Sequence, residues 1–171
     1  MSHQFSLNLL GGFAVYRDGE AVDLPPSCQR VVALSALTRR AVHRGWMCSV
    51  LWPYTPPQRS VARLRTTLWR LRPLGVDALL ATNPQSVALS PGVSVDWHNA
   101  VDLIEQLLRR NTLPGADQDL MAELVPLLRA GGLLEGWSDQ WNAQARSGYH
   151  TMRTAALSNL LPQPVACGEK E

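Results

Sequence analysis

Period-two alternation marks the start of the chain. Phe5-Ser6-Leu7-Asn8-Leu9 alternates apolar and polar residues, as a strand with one buried face does. Phe13-Ala14-Val15-Tyr16 follows, then Arg17-Asp18-Gly19-Glu20, where Asp-Gly is a strong hairpin signal. Ala21-Val22-Asp23-Leu24 returns as a third strand before Pro25-Pro26. The pattern predicts a small antiparallel sheet.

The period then lengthens. Ser27 is the expected N-cap of a helix reaching Thr38, with Val31, Leu34, Ala36 and Leu37 near one face. Residues 41–44 read as a short extended link. Residues 46–52 read as a second, buried helix stopped by Pro53, with Trp46 and Trp52 lining the core beneath it. A third helix is expected over 58–72, broken by Pro73 and Gly75. Residues 79–82 and 86–89 flank Asn83-Pro84-Gln85 as a second hairpin. Further helical patterns cover 97–110, 117–129 and 139–161, separated by Pro-Gly and Gly-Gly. The tail 162–171 is expected to be mobile.

The third helix has the most informative pattern. With Arg59 at zero and about 100° per residue, Arg63, Thr66 and Arg70 fall within about 40° of it, and Thr67 and Trp69 flank that stripe. Val61, Leu64, Leu68 and Leu71 fall between about 120° and 200°, which predicts a buried face opposite the guanidiniums. Such a helix suits the DNA major groove, since arginine bonds guanine in bidentate fashion and threonine can meet a thymine methyl or a base edge. Arg65 and Arg72 lie beside the apolar face, within reach of phosphates on the groove wall.

Charge sharpens this. The net charge is only +2. Yet residues 24–76 hold nine arginines and no acid, between an N-terminal stretch with Arg17 against Asp18, Glu20 and Asp23 and a C-terminal stretch with six basic and eleven acidic residues. A basic block between acidic flanks points to a polyanion. The alternative is that acids distant in sequence fold back over the block. A basic amphipathic helix can also lie on a membrane, but here it sits between two hairpins of a compact unit.

Other chemistry finds little support. Cys28, Cys48 and Cys167 form no Cys-x-x-Cys pair, and His3, His43, His98 and His150 are widely scattered. Gly11-Gly12 lacks the rest of a phosphate loop, and no serine sits in a nucleophile elbow. No enzyme activity, metal or cofactor is expected. No apolar run approaches the ~18 residues of a membrane span, and no basic segment precedes the first apolar stretch as in a secretory leader. A cytoplasmic location is expected.

The order sheet, helix, link, helix, turn, basic helix and hairpin is that of a winged helix-turn-helix. Leu9-Leu-Gly-Gly-Phe-Ala-Val-Tyr-Arg-Asp-Gly19, Gln29-Arg-Val-Val-Ala-Leu-Ser-Ala-Leu37, Leu51-Trp-Pro53 and Leu64-Arg-Thr-Thr-Leu-Trp-Arg-Leu-Arg72 resemble actinobacterial SARP-type regulators, and Val87-Ala-Leu-Ser-Pro-Gly-Val-Ser-Val-Asp96 continues the match. Leu133-Leu-Glu-Gly-Trp-Ser-Asp-Gln-Trp141 resembles a segment near the start of the family's bacterial transcriptional activation domain. The resemblance implies an OmpR/PhoB-type winged helix over 1–96, a helical extension over 97–161, and no enzymatic role. It implies that Thr66 and Arg70 read bases, while Arg63 and Arg72 contact backbone or groove edge. Double-stranded DNA is the implied partner, with RNA polymerase, a second copy or a related regulator as further ones. Against that family the helical part reads as short, so that a full solenoid is not expected, and no receiver domain is expected either.

The fold expectation is thus α+β: a winged helix-turn-helix with an N-terminal sheet and a C-terminal hairpin, then a small all-helical extension. The functional expectation is a sequence-specific transcriptional regulator whose DNA-binding residues are Arg59, Arg63, Thr66, Thr67, Trp69, Arg70, Arg72, Asn83 and Gln85, the last two being either contacts or plain turn residues. The competing expectations are a protein-interaction module that dimerises with or titrates a full-length regulator, and a protein acting on RNA. Exposure of Arg63 and Arg70 without acidic partners discriminates DNA binding from the interaction module. Trp137 and Trp141 are expected to cement the extension to the first unit rather than to form an exposed partner site.

Overall fold

The computed structural model describes residues 2–110 and 118–161. β1 (Phe5–Asn8) buries Phe5 and Leu7 and leaves Ser6 and Asn8 partly exposed, as its alternation requires. β2 (Ala14–Arg17) pairs with it antiparallel and continues into β3 (Glu20–Val22). Arg17 faces Glu20 across a two-residue loop, and both Asp18 (φ 52°) and Gly19 (φ 86°) are left-handed, as a type I′ turn demands. The sheet has a fourth strand that the periodicity does not reveal. β7 (Ser94–Val95) runs parallel to β1, with Leu7 opposite Val95.

α1 (Pro26–Thr38) begins one residue before the expected cap. Ser27 is not the N-cap: Pro25 holds that position and Pro26 opens the helix, where its missing N–H leaves nothing unsatisfied. After Arg39, left-handed at φ 52°, β4 (Val42–His43) gives the link a structural role by pairing with the second hairpin. α2 (Arg44–Leu51) starts two residues earlier than its apolar run, because the His43 ring nitrogen Nδ1 accepts the N–H of Gly45. Trp52 is buried, as expected. Trp46 is not, with 43% of its surface exposed. α3 (Pro57–Arg70) passes into a turn that ends at Gly75. β5 (Leu80–Thr82) and β6 (Ser86–Leu89) follow a single 3-10 turn and complete a sheet in the order β4-β6-β5.

The helical part comprises α4 (Asp96–Arg109), α5 (Gln118–Arg129) and α6 (Gln140–Leu160). The expected start of α5 at Asp117 and the tail 162–171 lie outside the described residues. Ala100, Ile104 and Leu107 of α4 and Leu120, Leu124 and Leu128 of α5 form stripes three and four residues apart, as a buried helix face does. They join the same core as β1 and α1. Leu10 bridges Leu133 antiparallel, Gly11 donates its N–H to the Gly132 carbonyl at 2.8 Å, and Leu134 donates to Leu9 at 2.7 Å. Phe13 stacks on Trp137 at 5.8 Å, and Trp141 meets Trp137 edge-on at 6.1 Å. The two tryptophans therefore join the extension to the first sheet. No helix among the described residues is long and apolar enough to cross a membrane.

Candidate nucleic-acid interface

Burial along α3 fixes which side faces out. The buried residues are Ser60, Leu64 and Thr67, followed by Leu71 just past the helix end. Val61 is 42% exposed and Leu68 only partly buried. On the scale that sets Arg59 at zero, the buried face centres near 110°, about 50° from where apolar residues alone place it. The reason is local. Thr67 donates its hydroxyl to the Arg63 carbonyl at 2.8 Å, and Ser60 donates to Pro57 at 3.0 Å, so both hydroxyls are satisfied within the helix and can be buried. Small side chains there let α1 come close, and the Cys28 thiol reaches the Thr67 carbonyl. Thr67, expected in the binding set, is 2% exposed and leaves it.

The outward face centres accordingly near 290°, close to Trp69, with Thr66 on one side and Arg65 on the other. Trp69, expected at the margin, is 61% exposed. Arg59, Arg63 and Arg70 are exposed on one flank, and Arg72 projects from the turn after the helix. Arg63 lies at the edge, its guanidinium 5.6 Å from the centre of the Trp52 ring in a cation–π contact.

Two clefts border this face. One, of about 560 Å³, runs between the start of α1 and α3 and is lined by Ser27, Arg30, Arg63, Thr66 and Arg70 among others. The other, of about 460 Å³, lies between α3 and the β5–β6 hairpin and is lined by Arg44, Arg65, Trp69, Arg72 and Thr82, with Asp77 also on its wall. Arg44 belongs to a segment that sequence reading treats as a link. Its only signal there is membership of the acid-free block. At the hairpin tip Asn83 and Gln85 are both exposed. Asn83 commits its side-chain oxygen to the N–H groups of Gln85 and Ser86, both at 2.8 Å, which makes it a turn residue. Gln85 leaves its side chain outward while its carbonyl accepts the Arg44 N–H at 2.9 Å, tying hairpin to α2.

Acids do fold back over the block, but only in part. Arg30 pairs with Asp139 at 2.6 Å and Arg39 with Asp102 at 3.3 Å. Among the described residues, no carboxylate lies within ion-pairing distance of Arg40, Arg44, Arg59, Arg63, Arg65, Arg70 or Arg72. The resulting surface offers planar donors flanking an indole, which can take phosphates, base edges or a stacked ring.

Two cysteines and two further histidines have structural surroundings rather than reactive ones. Cys28 and Cys48 are free and buried, and burial pushes both thiols up. His98 donates to the Ala36 carbonyl at 2.7 Å, and His3 pairs with Asp18. Among the described residues, no three His, Cys, Asp or Glu side chains converge as a metal site.

No model of a protein family matches the sequence, and no curated protein matches it. Among solved structures, the chain is similar to EmbR of Mycobacterium tuberculosis, determined in complex with a low-affinity phosphopeptide. The likeness has a TM-score of 0.57 at 20% sequence identity and covers 92% of this chain. It covers 43% of EmbR, so this chain spans less than half of that protein's length. At that identity the likeness is one of fold: the mixed α+β arrangement of sheets and helices described above is shared with EmbR.

Proposed function

We propose that this chain is a sequence-specific, double-stranded-DNA-binding transcriptional regulator of the SARP type. In this reading it is a winged helix-turn-helix in which α3 enters the major groove, the β5–β6 hairpin is the wing, and the helices from α4 onward are the start of an activation domain. The observation that carries the reading is the exposure of Arg59, Arg63, Arg65, Arg70 and Arg72, which meet no carboxylate among the described residues, while of the basic block's arginines Arg30 and Arg39 are the ones that the described acids of the extension engage. An interaction module that hid or neutralised this face would not keep Arg63 and Arg70 open. The fold likeness to EmbR supports the same architecture.

The protein acts without cofactor or catalysis, in the cytoplasm, and its protein partners are RNA polymerase and a second copy or related regulator. Thr66 and Trp69 meet base edges and sugars, Arg70 and Arg65 reach bases from either flank, and Arg63, Arg44 and Arg72 neutralise phosphates. Selection of genomic fragments on the purified chain tests sequence specificity. Titration of the selected duplex across salt concentrations tests the mode: log Kobs falls against log salt by roughly 0.9 per phosphate neutralised. A flat salt response, or no fragment enriched, overturns the reading and favours the interaction module.

A further inference from the structure

Arg30 stands apart from the other arginines of the basic block. It lies on α1, yet lines the cleft shared by Ser27, Arg63, Thr66 and Arg70. One guanidinium nitrogen, Nη2, donates to the Leu51 carbonyl at 3.2 Å and to the Asp139 carboxylate at 2.6 Å, while Nε is buried without a partner. Asp139 comes from 109 positions further along the chain. It is the N-cap residue of α6, the position where an aspartate ordinarily accepts the N–H groups of the helix's first turn. Here it makes no side-chain capping bond. Its carboxylate is held by Arg30 instead, and a rotation about its Cα–Cβ bond would bring it to the first-turn N–H groups of α6, of which that of Asn142 now donates to the Asp139 backbone carbonyl at 3.3 Å.

On the DNA-binding reading above, we propose that Arg30 is a phosphate-binding residue of the α1–α3 cleft whose charge is withheld by Asp139, so that the extension sets how tightly the protein holds DNA. Each partner has a second position open to it. A backbone phosphate entering the cleft gives Arg30 a bidentate anion, since guanidinium and phosphate match in geometry. Asp139 then caps α6, where the helix dipole also favours a carboxylate. Release of Asp139 adds one phosphate contact, which steepens the salt slope by roughly 0.9 and tightens binding up to about eightfold at 0.1 M salt.

The experiment uses the full chain and a labelled duplex of random sequence, because a phosphate contact carries no sequence information. Kd and its salt slope are measured for the wild-type protein, Asp139→Asn, Arg30→Ala and the double variant. Asp139→Ser serves as a second release variant, and Glu123→Gln, an exposed acid on α5, controls for general charge. Circular dichroism checks that each is folded. The expected result is tighter binding and a steeper slope for both Asp139 variants, loss of that gain in the Arg30→Ala background, and no comparable gain for Glu123→Gln. An equal gain in both backgrounds, or from Glu123→Gln, reduces Asp139 to bulk charge and overturns the proposal. So does a wild-type protein that binds while the Asp139 variants bind no tighter. A wild-type protein that binds no duplex at low salt overturns the DNA reading itself, and this proposal with it.

Discussion

Asp96 accepts the backbone N–H of Leu9 at 2.7 Å across 87 positions of the chain. The same carboxylate takes the N–H of Leu10 at 3.1 Å and that of Trp97 at 2.7 Å. It thus satisfies two donors where β1 has ended and one at the opening of α4. Burial pushes its acid up despite these three donors, which act the other way. The group is therefore costly to bury and costlier to lose.

Asp96→Ala is expected to destabilise the protein by about 3 kcal/mol, since buried donors left unpaired cost about 1–3 kcal/mol each and some will find water. Asp96→Asn is milder. Its oxygen can keep Leu9 and Trp97, both of which bond the same oxygen of Asp96, while its amide faces the Leu10 N–H, donor against donor. Urea denaturation of both variants checks the order. Equal losses would show that the carboxylate's charge, rather than its accepting geometry, holds this junction.

The seam between β1 and the extension makes a second expectation. Gly11 has φ 76°, and a Cβ there would lie 2.2 Å from the Ala130 carbonyl oxygen. Gly11→Ala must move backbone on one side, and should cost about 2–3 kcal/mol through strain and loss of the Leu10–Leu133 bridge. A chain ending at Asp96 should lose the same seam and melt at least about 10 °C lower. Unchanged melting in both would mean that the first unit and the helices are independent.

Acid should weaken the fold through His98. Burial is the main reason its imidazole titrates lower than usual; Arg39 nearby adds to this, while the Ala36 carbonyl, Asp102 and Asp96 oppose it. In the unfolded chain the ring takes a proton near pH 6.5. Below that value the unfolded state binds more protons, so His98's contribution is fully present above about pH 6.5 and is lost as pH falls toward the folded value. Asp96 acts in the opposite direction: its raised acid lets the folded state bind more protons, so its share declines as pH rises from about 3.9 through its folded value. His98→Gln keeps a donor for Ala36 and cannot titrate. Its urea midpoint should vary less than the wild type's between about pH 5 and 7. Parallel profiles would remove His98 as the cause.

The sequence shows β1, β2, β3, β5 and β6, the Asp-Gly turn and the existence of each helix, because these rest on local periodicity and turn chemistry. It hides what is settled between distant segments. β7 has two residues, too few for a period, and is a strand only because β1 lies beside it. The Leu10–Leu133 bridge is likewise non-local. α3 shows the same limit on one helix: apolar residues alone place the buried face over Val61 and Leu68, whereas packing selects Ser60 and Thr67, whose hydroxyls bond within the helix. The arginines of the interface are visible as composition. Which of them meet a carboxylate is not, since Asp102 and Asp139 come from helices far along the chain.

The rotation of α3 yields the sharpest expectation for DNA binding. Trp69 is exposed at the centre of the outward face, so Trp69→Ala should leave the melting temperature almost unchanged and weaken binding to a cognate duplex. Thr67 is buried, so Thr67→Ala should cost about 1 kcal/mol of stability through its lost hydroxyl bond and packing, and alter binding little beyond that. Arg70→Ala should cost ~1–3 kcal/mol on the cognate site and relax preference at one base pair. Arg72→Ala should weaken all duplexes about equally and lower the salt slope by roughly one. Thr66→Glu should abolish binding by repelling phosphates while the fold persists, since Thr66 is exposed. Binding of these variants to a cognate and a scrambled duplex, with thermal melts alongside, separates the two rotations. If Thr67→Ala lost specificity at an unchanged melting temperature while Trp69→Ala bound like the wild type, DNA would lie against the face that apolar periodicity indicates, and α3 would have to turn on binding.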